Sequence, residues 1–581
     1  MTPLSPLREL PLPLPLLPSL LLLACEPQPA APSIRTADIA PIDAPACPGG
    51  EPPAEATVNG ATYQGCAVAP EGDGALPVRA FLGIEYGRAD RWQPPSPVVA
   101  TGAVDTTRVG DTCPQYDWST TQPYNDQTMS EDCLSLNVWT PSALPLPSGE
   151  AARPVFVFIH GGGFLSGAGS LHLYDGARLA AERGLVVVTF NYRLGVLGFL
   201  HQEGRSGNFG LMDQRLALGW VRDHIAGFGG DPARVTLVGE SAGATSVLDQ
   251  MAAPTAAGAE PLFRQTIAQS SYAGVSSPSA EEAAALEAAL VAALPAPCPL
   301  LACSTLELMT AQSALLQRLS PLQAMFVFGP ALEPASLPAQ PISLEARSPV
   351  LFGNNRDEAT YFVSAYRVPS LGPWTSAELH TFITQIYGPE LAPKIEALPR
   401  YHADQIDPID ALTNLVADGW FICATDHLLG RSTLPAAAYG YADEDPSSFN
   451  FYEGVSPRCR TRVCHGAELP FVFDQPYDVA DQPVTFDEGD MAKADTFGAE
   501  WGAFIETGHP ADALWLPYAG RGRYRLSATE RGAFEADTER NCAFWTEEVY
   551  AKGGVQGAAG RILASLSTSL MSPPGGLIAT P

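Results

Sequence analysis

The segment Gly239-Glu240-Ser241-Ala242-Gly243 restricts the fold of this chain more than any other. It follows a valine-rich run at 235–238 and precedes 244–251, which reads as a helix. Glycines two residues either side of a serine let a strand turn sharply into a helix, lifting the hydroxyl clear of the sheet. Alone, the pattern also occurs in ordinary loops. Between a strand and a helix it marks Ser241 as a candidate nucleophile.

Residues 155–159, 185–190, 263–268, 350–352 and 449–452 are further apolar runs of strand length. Residues 213–228 have helical periodicity and stop at Gly229-Gly230-Asp231-Pro232. Such alternation predicts an α/β protein with a central, mainly parallel sheet flanked by helices. Hydrophobic residues make up 46% of the 581, enough for a large core. The 33 basic and 63 acidic side chains leave a net charge of −30, which argues against a nucleic-acid partner and favours neutral or cationic ones.

The run at 155–159 ends in His160-Gly161-Gly162-Gly163. Side-chain-free N–H groups there can point into a site, so Gly162 and Gly163, with the N–H of Ala242, are candidates for an oxyanion hole. No Gly-Lys-Ser/Thr follows, so a phosphate loop is not supported. A serine of this kind is followed in the chain by an acid and then a histidine. Glu358 follows the run at 350–352 and His465 follows the run at 449–452, both in loops where such a sheet places its sites. The chain has 9 histidines, so position has to choose among them; His509, in a Gly-His-Pro turn, reads as a surface residue.

Residues 1–24 combine a short start, an apolar run broken by prolines, and Leu23-Ala24 before Cys25. This resembles a bacterial lipoprotein signal, with cleavage before Cys25 and lipid on its thiol; an ordinary secretory signal is the alternative. Either places the protein outside the cytosol, lipid-anchored at the cell envelope or secreted, where disulfides persist. Residues 25–57 are rich in Pro and Ala and read as a tether, 58–551 as the catalytic domain, and 552–581 as a low-complexity tail with a possible short helix at 561–570.

From Phe81 to Trp545 the chain resembles the type-B carboxylesterase and cholinesterase family of α/β-hydrolases. The likeness rests on Phe81-Leu82-Gly83-Ile84, Arg91-Trp92, Ser130-Glu131-Asp132-Cys133, Gly207-Asn208, the serine segment, Gly353 to Glu358, and His465-Gly466 with Glu468-Leu469-Pro470. It implies an α/β-hydrolase fold with Ser241, Glu358 and His465 as catalytic triad, and needs no metal or organic cofactor. It also implies the bridges Cys113–Cys133 and Cys423–Cys542, with Cys298–Cys303 as a shortened version of a third. Cys459 and Cys464 have no clear family counterpart; they could clip the His465 loop, or form a zinc site with His465. Cys47 and Cys66 pair by elimination, using all 11 cysteines if Cys25 carries lipid.

Glu240 resembles the family's buried acidic neighbour of the nucleophile. Arg91 with Glu131 resembles a structural ion pair, and Ser270 occupies a position near the triad in relatives. Phe326, Tyr361 and Phe362 are candidates for the pocket wall. The family's choline-binding tryptophan is replaced near Pro123 and Tyr124, and the acyl-pocket tryptophan is missing near Ser277. The expectation is a serine carboxylic-ester hydrolase that acts through an acyl-enzyme on neutral or cationic small esters. The alternatives are a silent adhesion protein on the same scaffold and a narrower cholinesterase-like or lipase-like enzyme. Acyl preference and oligomeric state are not legible.

Overall fold

The computed structural model describes residues 54–570, apart from 69–76, 117–127, 142, 145, 203–204, 255–260, 320, 366–373, 403, 450–455, 477, 480–481, 519–521, 528–530 and 535–539. Cys25, Cys47, Pro123 and Tyr124 lie outside the described residues. The described residues all fall in one unit, 34–581.

The centre of the fold is a sheet of 13 strands among the described residues. Twelve form one path: β1 (Ala54–Val58), β2 (Ala61–Val68), β3 (Val78–Glu85), β4 (Ser135–Thr140), β5 (Arg153–Ile159), β6 (Val186–Phe190), β7 (Gly230–Glu240), β8 (Gln265–Gln269), β9 (Val350–Asn355), β10 (Ala438–Asp443), β11 (Arg523–Leu526) and β12 (Gly532–Phe534). The spatial order is β1-β2-β3-β4-β6-β5-β7-β8-β9-β10-β11-β12, and the short strand Gly102–Asp105 pairs with β2. From β6 to β11 every neighbour is parallel; the pairs on either side are antiparallel. This is the expected α/β-hydrolase architecture.

Parallel strands with both faces covered are buried along their length and mostly apolar. β6, β8 and β9 are buried throughout. Alternate side chains point to opposite faces, so each strand feeds two cores. Val155, Val157 and Ile159 enter one hydrophobic cluster, and Phe156 and Phe158 the other.

Three boundaries differ from the sequence reading. β1 starts at Ala54, inside the segment read as tether, because its alternate residues bury against β2. The strand before the histidine loop among the described residues is β10, which the sequence reading did not include; Phe449 lies in a bend, and the rest of the run at 449–452 lies outside the described residues. Within the segment read as tail, Ala558–Leu570 is a helix, with Ile562 and Leu563 buried against helices Ala280–Ala293, Pro321–Val327 and Ser376–Glu396.

Candidate active site

Successive parallel strands deliver the candidate residues to one edge of the sheet. Ser241 follows β7, Ser270 follows β8, and Glu358 lies just past β9. His465 lies in the loop that leads from β10 to the short helix Leu469–Val472, and the glycine loop follows β5.

Ser241 has φ 56°, in the left-handed region that side chains rarely adopt. The strain, on the order of 1–3 kcal/mol, is held by packing around it. Its N–H donates to the Gln269 carbonyl at 2.9 Å, and helix Ala242–Ala252 starts at the next residue. The glycines are required by close approach. A Cβ on Gly243 would lie 1.9 Å from the Ile159 carbonyl oxygen, and one on Gly239 2.4 Å from the Gly243 carbonyl carbon.

Gly162 and Gly163 have φ of 107° and 63°. The Tyr192 hydroxyl donates to the His160 carbonyl at 3.0 Å, and the two rings stack at 4.4 Å, which fixes the root of the loop. Burial pushes His160 down to about 4, so this ring is neutral. Among the described residues, the N–H groups of Gly162, Gly163 and Ala242 donate to no other group. The loop packs on the nucleophile: a Cβ on Gly161 would lie 2.7 Å from Oε2 of Glu240 and 3.1 Å from Cβ of Ser241.

Nδ1 of His465 donates to Oε2 of Glu358 at 2.6 Å. Its Nε2 lies 3.1 Å from Oε1 of Glu240, the residue adjoining Ser241. Glu358 is fixed in turn by the Asn355 N–H at 2.8 Å. Burial disfavours the imidazolium, but Glu240 and Glu358 outweigh it and raise His465 to about 9. Burial also raises Glu240, to about 8.

The geometry adds Glu468, three residues after His465. It is fully buried, accepts from Gln269 Nε2 at 3.2 Å and from Asn355 Nδ2, and is raised to about 7 by burial and then by Glu358. It was visible in the sequence only as part of the histidine segment. Ser270, by contrast, is brought to the edge of the sheet with φ 56° and a fully buried side chain whose hydroxyl has no hydrogen-bond partner among the described residues.

Of the three aromatic candidates, Phe362 packs on His465 with ring centroids 4.9 Å apart, and Tyr361 packs on Phe362 at 5.3 Å. Phe326 sits in the core, edge-on to Trp420 at 5.2 Å. Phe421, missed in the sequence, lies 5.2 Å from His465. It belongs to the π-helical turn Ala417–Ile422, and such turns recur at functional sites.

The bridges Cys113–Cys133, Cys298–Cys303, Cys423–Cys542 and Cys459–Cys464 are formed, so the last two thiols bind each other. Cys66 is disulfide-bonded. Arg91 donates through Nε to Oε2 of Glu131 at 2.9 Å, and also holds the Cys303 carbonyl at 2.6 Å, consistent with scaffold.

Comparison with known proteins identifies the family. The profile of the carboxylesterase family matches residues 53–545. A para-nitrobenzyl esterase of Bacillus subtilis (strain 168) is 34% identical over 493 residues, covering 80% of this chain and 93% of the relative. A fumonisin B1 esterase of Sphingopyxis macrogoltabida is 30% identical over 512 residues, covering 82% and 87%. Among solved structures, a thermophilic PNB esterase superposes with a TM-score of 0.68 at 28% identity, over 84% of this chain and 99% of that one.

Proposed function

This chain belongs to the carboxylesterase family and is a serine carboxylic-ester hydrolase; on that premise we propose that Ser241, His465 and Glu358 carry the reaction. One observation carries the assignment: His465 is held by Glu358 at 2.6 Å on one nitrogen, with the other directed to the elbow that bears Ser241. Ser241 Oγ attacks the ester carbonyl as His465 Nε2 takes its proton, and Glu358 stabilises the imidazolium. Gly162, Gly163 and Ala242 donate N–H groups to the oxyanion. His465 then protonates the leaving alcohol, and water releases the acid from the acyl-enzyme by the same steps in reverse. Glu240, beside the nucleophile, favours the imidazolium when it is ionised.

Neutral or cationic small esters are the proposed substrates, supported by the −30 charge and by the aromatic rings around His465. We further propose an extracytoplasmic location with lipid on Cys25. The signal-like segment 1–24 and the oxidised cysteines support it. Ser241→Ala is expected to lower turnover of p-nitrophenyl esters by at least about 10⁴-fold and to abolish fluorophosphonate labelling. Near-normal activity in that variant would overturn the assignment.

A further inference from the structure

The bridge Cys459–Cys464 ends one residue before His465. We propose that it is a positioning element for catalysis, fixing the backbone from which His465 reaches Glu358, and not only a staple for stability. The inference rests on the reading of His465 as the catalytic base.

Three restraints meet at this point. The bridge ties Cys464 back to the short helix Pro457–Thr461. Asn355 Nδ2 donates to the Cys464 carbonyl at 2.8 Å. The Asp357 N–H donates to the Val463 carbonyl at 3.0 Å, while the Val463 N–H donates to Asp357 Oδ2 at 3.0 Å. Asn355 and Asp357 closely precede Glu358 in the chain, so the hydrogen bonds join the two loops that carry the acid and the base. They hold only if residues 463 and 464 keep their place. Beyond His465 the chain turns at once through Gly466, φ 75°, and is next held at Glu468, three residues on, by Gln269 and Asn355. The sulfurs sit in the core, with Cys459 5% and Cys464 1% exposed. That burial suits a permanent restraint, not a redox switch. Catalytic groups must be held to within about 0.5 Å, and a displacement of about 1 Å costs on the order of 10²-fold in rate.

The molecule contains its own control. Cys298–Cys303 has the same sequence separation of 5, but its loop is docked on Arg91, away from the triad. Bridges closing equal loops restrict the unfolded chain equally. Removing either is therefore expected to cost similar stability, and only one to alter chemistry.

The test compares C459A/C464A with C298A/C303A in the full chain, with the remaining bridges checked by intact mass. C459A/C464A is expected to lower kcat for p-nitrophenyl acetate at least tenfold, with KM within twofold and the fluorophosphonate labelling rate falling in parallel. C298A/C303A is expected to keep all three within twofold. Equal kcat in the two variants overturns the proposal. If C459A/C464A does not fold, Asp357→Ala in the bridged protein probes the same restraint: a loss confined to kcat supports it, and an unchanged kcat overturns it. Ser241→Ala run alongside separates the two readings. An active Ser241→Ala removes the triad assignment itself; an inactive one beside equal bridge variants removes only this inference.

Discussion

Glu240 and His465 set each other's charge, and their contact makes a prediction about pH. In the proposed mechanism His465 must be neutral to take the Ser241 proton, yet three buried acids, Glu240, Glu358 and Glu468, act on it in favour of the imidazolium. Replacing Glu240 by Gln removes the acid nearest Nε2. The imidazolium loses support, the His465 pKa falls from about 9, and the acid limb of kcat/KM moves to lower pH. A pH–rate profile of Glu240→Gln checks this; a limb that stays put or moves upward refutes it. At this scale much of the site was legible. Ser241, Gly162, Gly163 and Ala242 sit in short motifs whose backbone geometry is local. Glu468 was not, because its meaning comes from burial against Gln269 and Asn355 on strands β8 and β9, far away in the chain.

Local pattern predicted elements well where composition and burial agree, as in β5, β6 and β9, whose valine, isoleucine and phenylalanine suit a buried parallel strand. It failed at β10. Its sequence, Ala-Tyr-Gly-Tyr-Ala-Asp, is poor in strand formers and gave no strand signal. Tertiary packing makes it a strand, because the slot between β9 and β11 buries all six residues. Helix Ala558–Leu570, at the other end of the domain, was legible as a short helix over 561–570; it starts earlier, at Ala558, and neighbouring helices stabilise it through Ile562, which is fully buried. Ile562→Ala is expected to cost about 2–5 kcal/mol in a denaturant melt while leaving kcat of the folded enzyme unchanged. A loss below about 0.5 kcal/mol would show that the helix does not belong to the cooperative core.

At the scale of the whole molecule, the −30 charge acts over distances that no single contact reaches. It should draw cationic esters toward the protein and repel anionic ones. The expected outcome is a kcat/KM for a cationic ester that falls as ionic strength rises from about 0.01 M to 0.5 M, while a neutral isostere stays flat. Equal salt dependence for both would mean that the field does not reach the site. Length and charge alone left the domain count open, and the single sheet from Ala54 to Phe534 answers it for the described residues. The sequence by itself determined the chemistry, because a nucleophile elbow and a glycine loop are built from backbone conformations that neighbouring residues dictate. It also paired Cys459 with Cys464 as one of two readings. Only the tertiary structure decided which acids surround His465, which aromatic rings touch it, and that the bridge abuts the loop of Glu358. The relation of Glu358 to His465 joins residues more than 100 positions apart, and it exists only once the strands have set their order in the sheet.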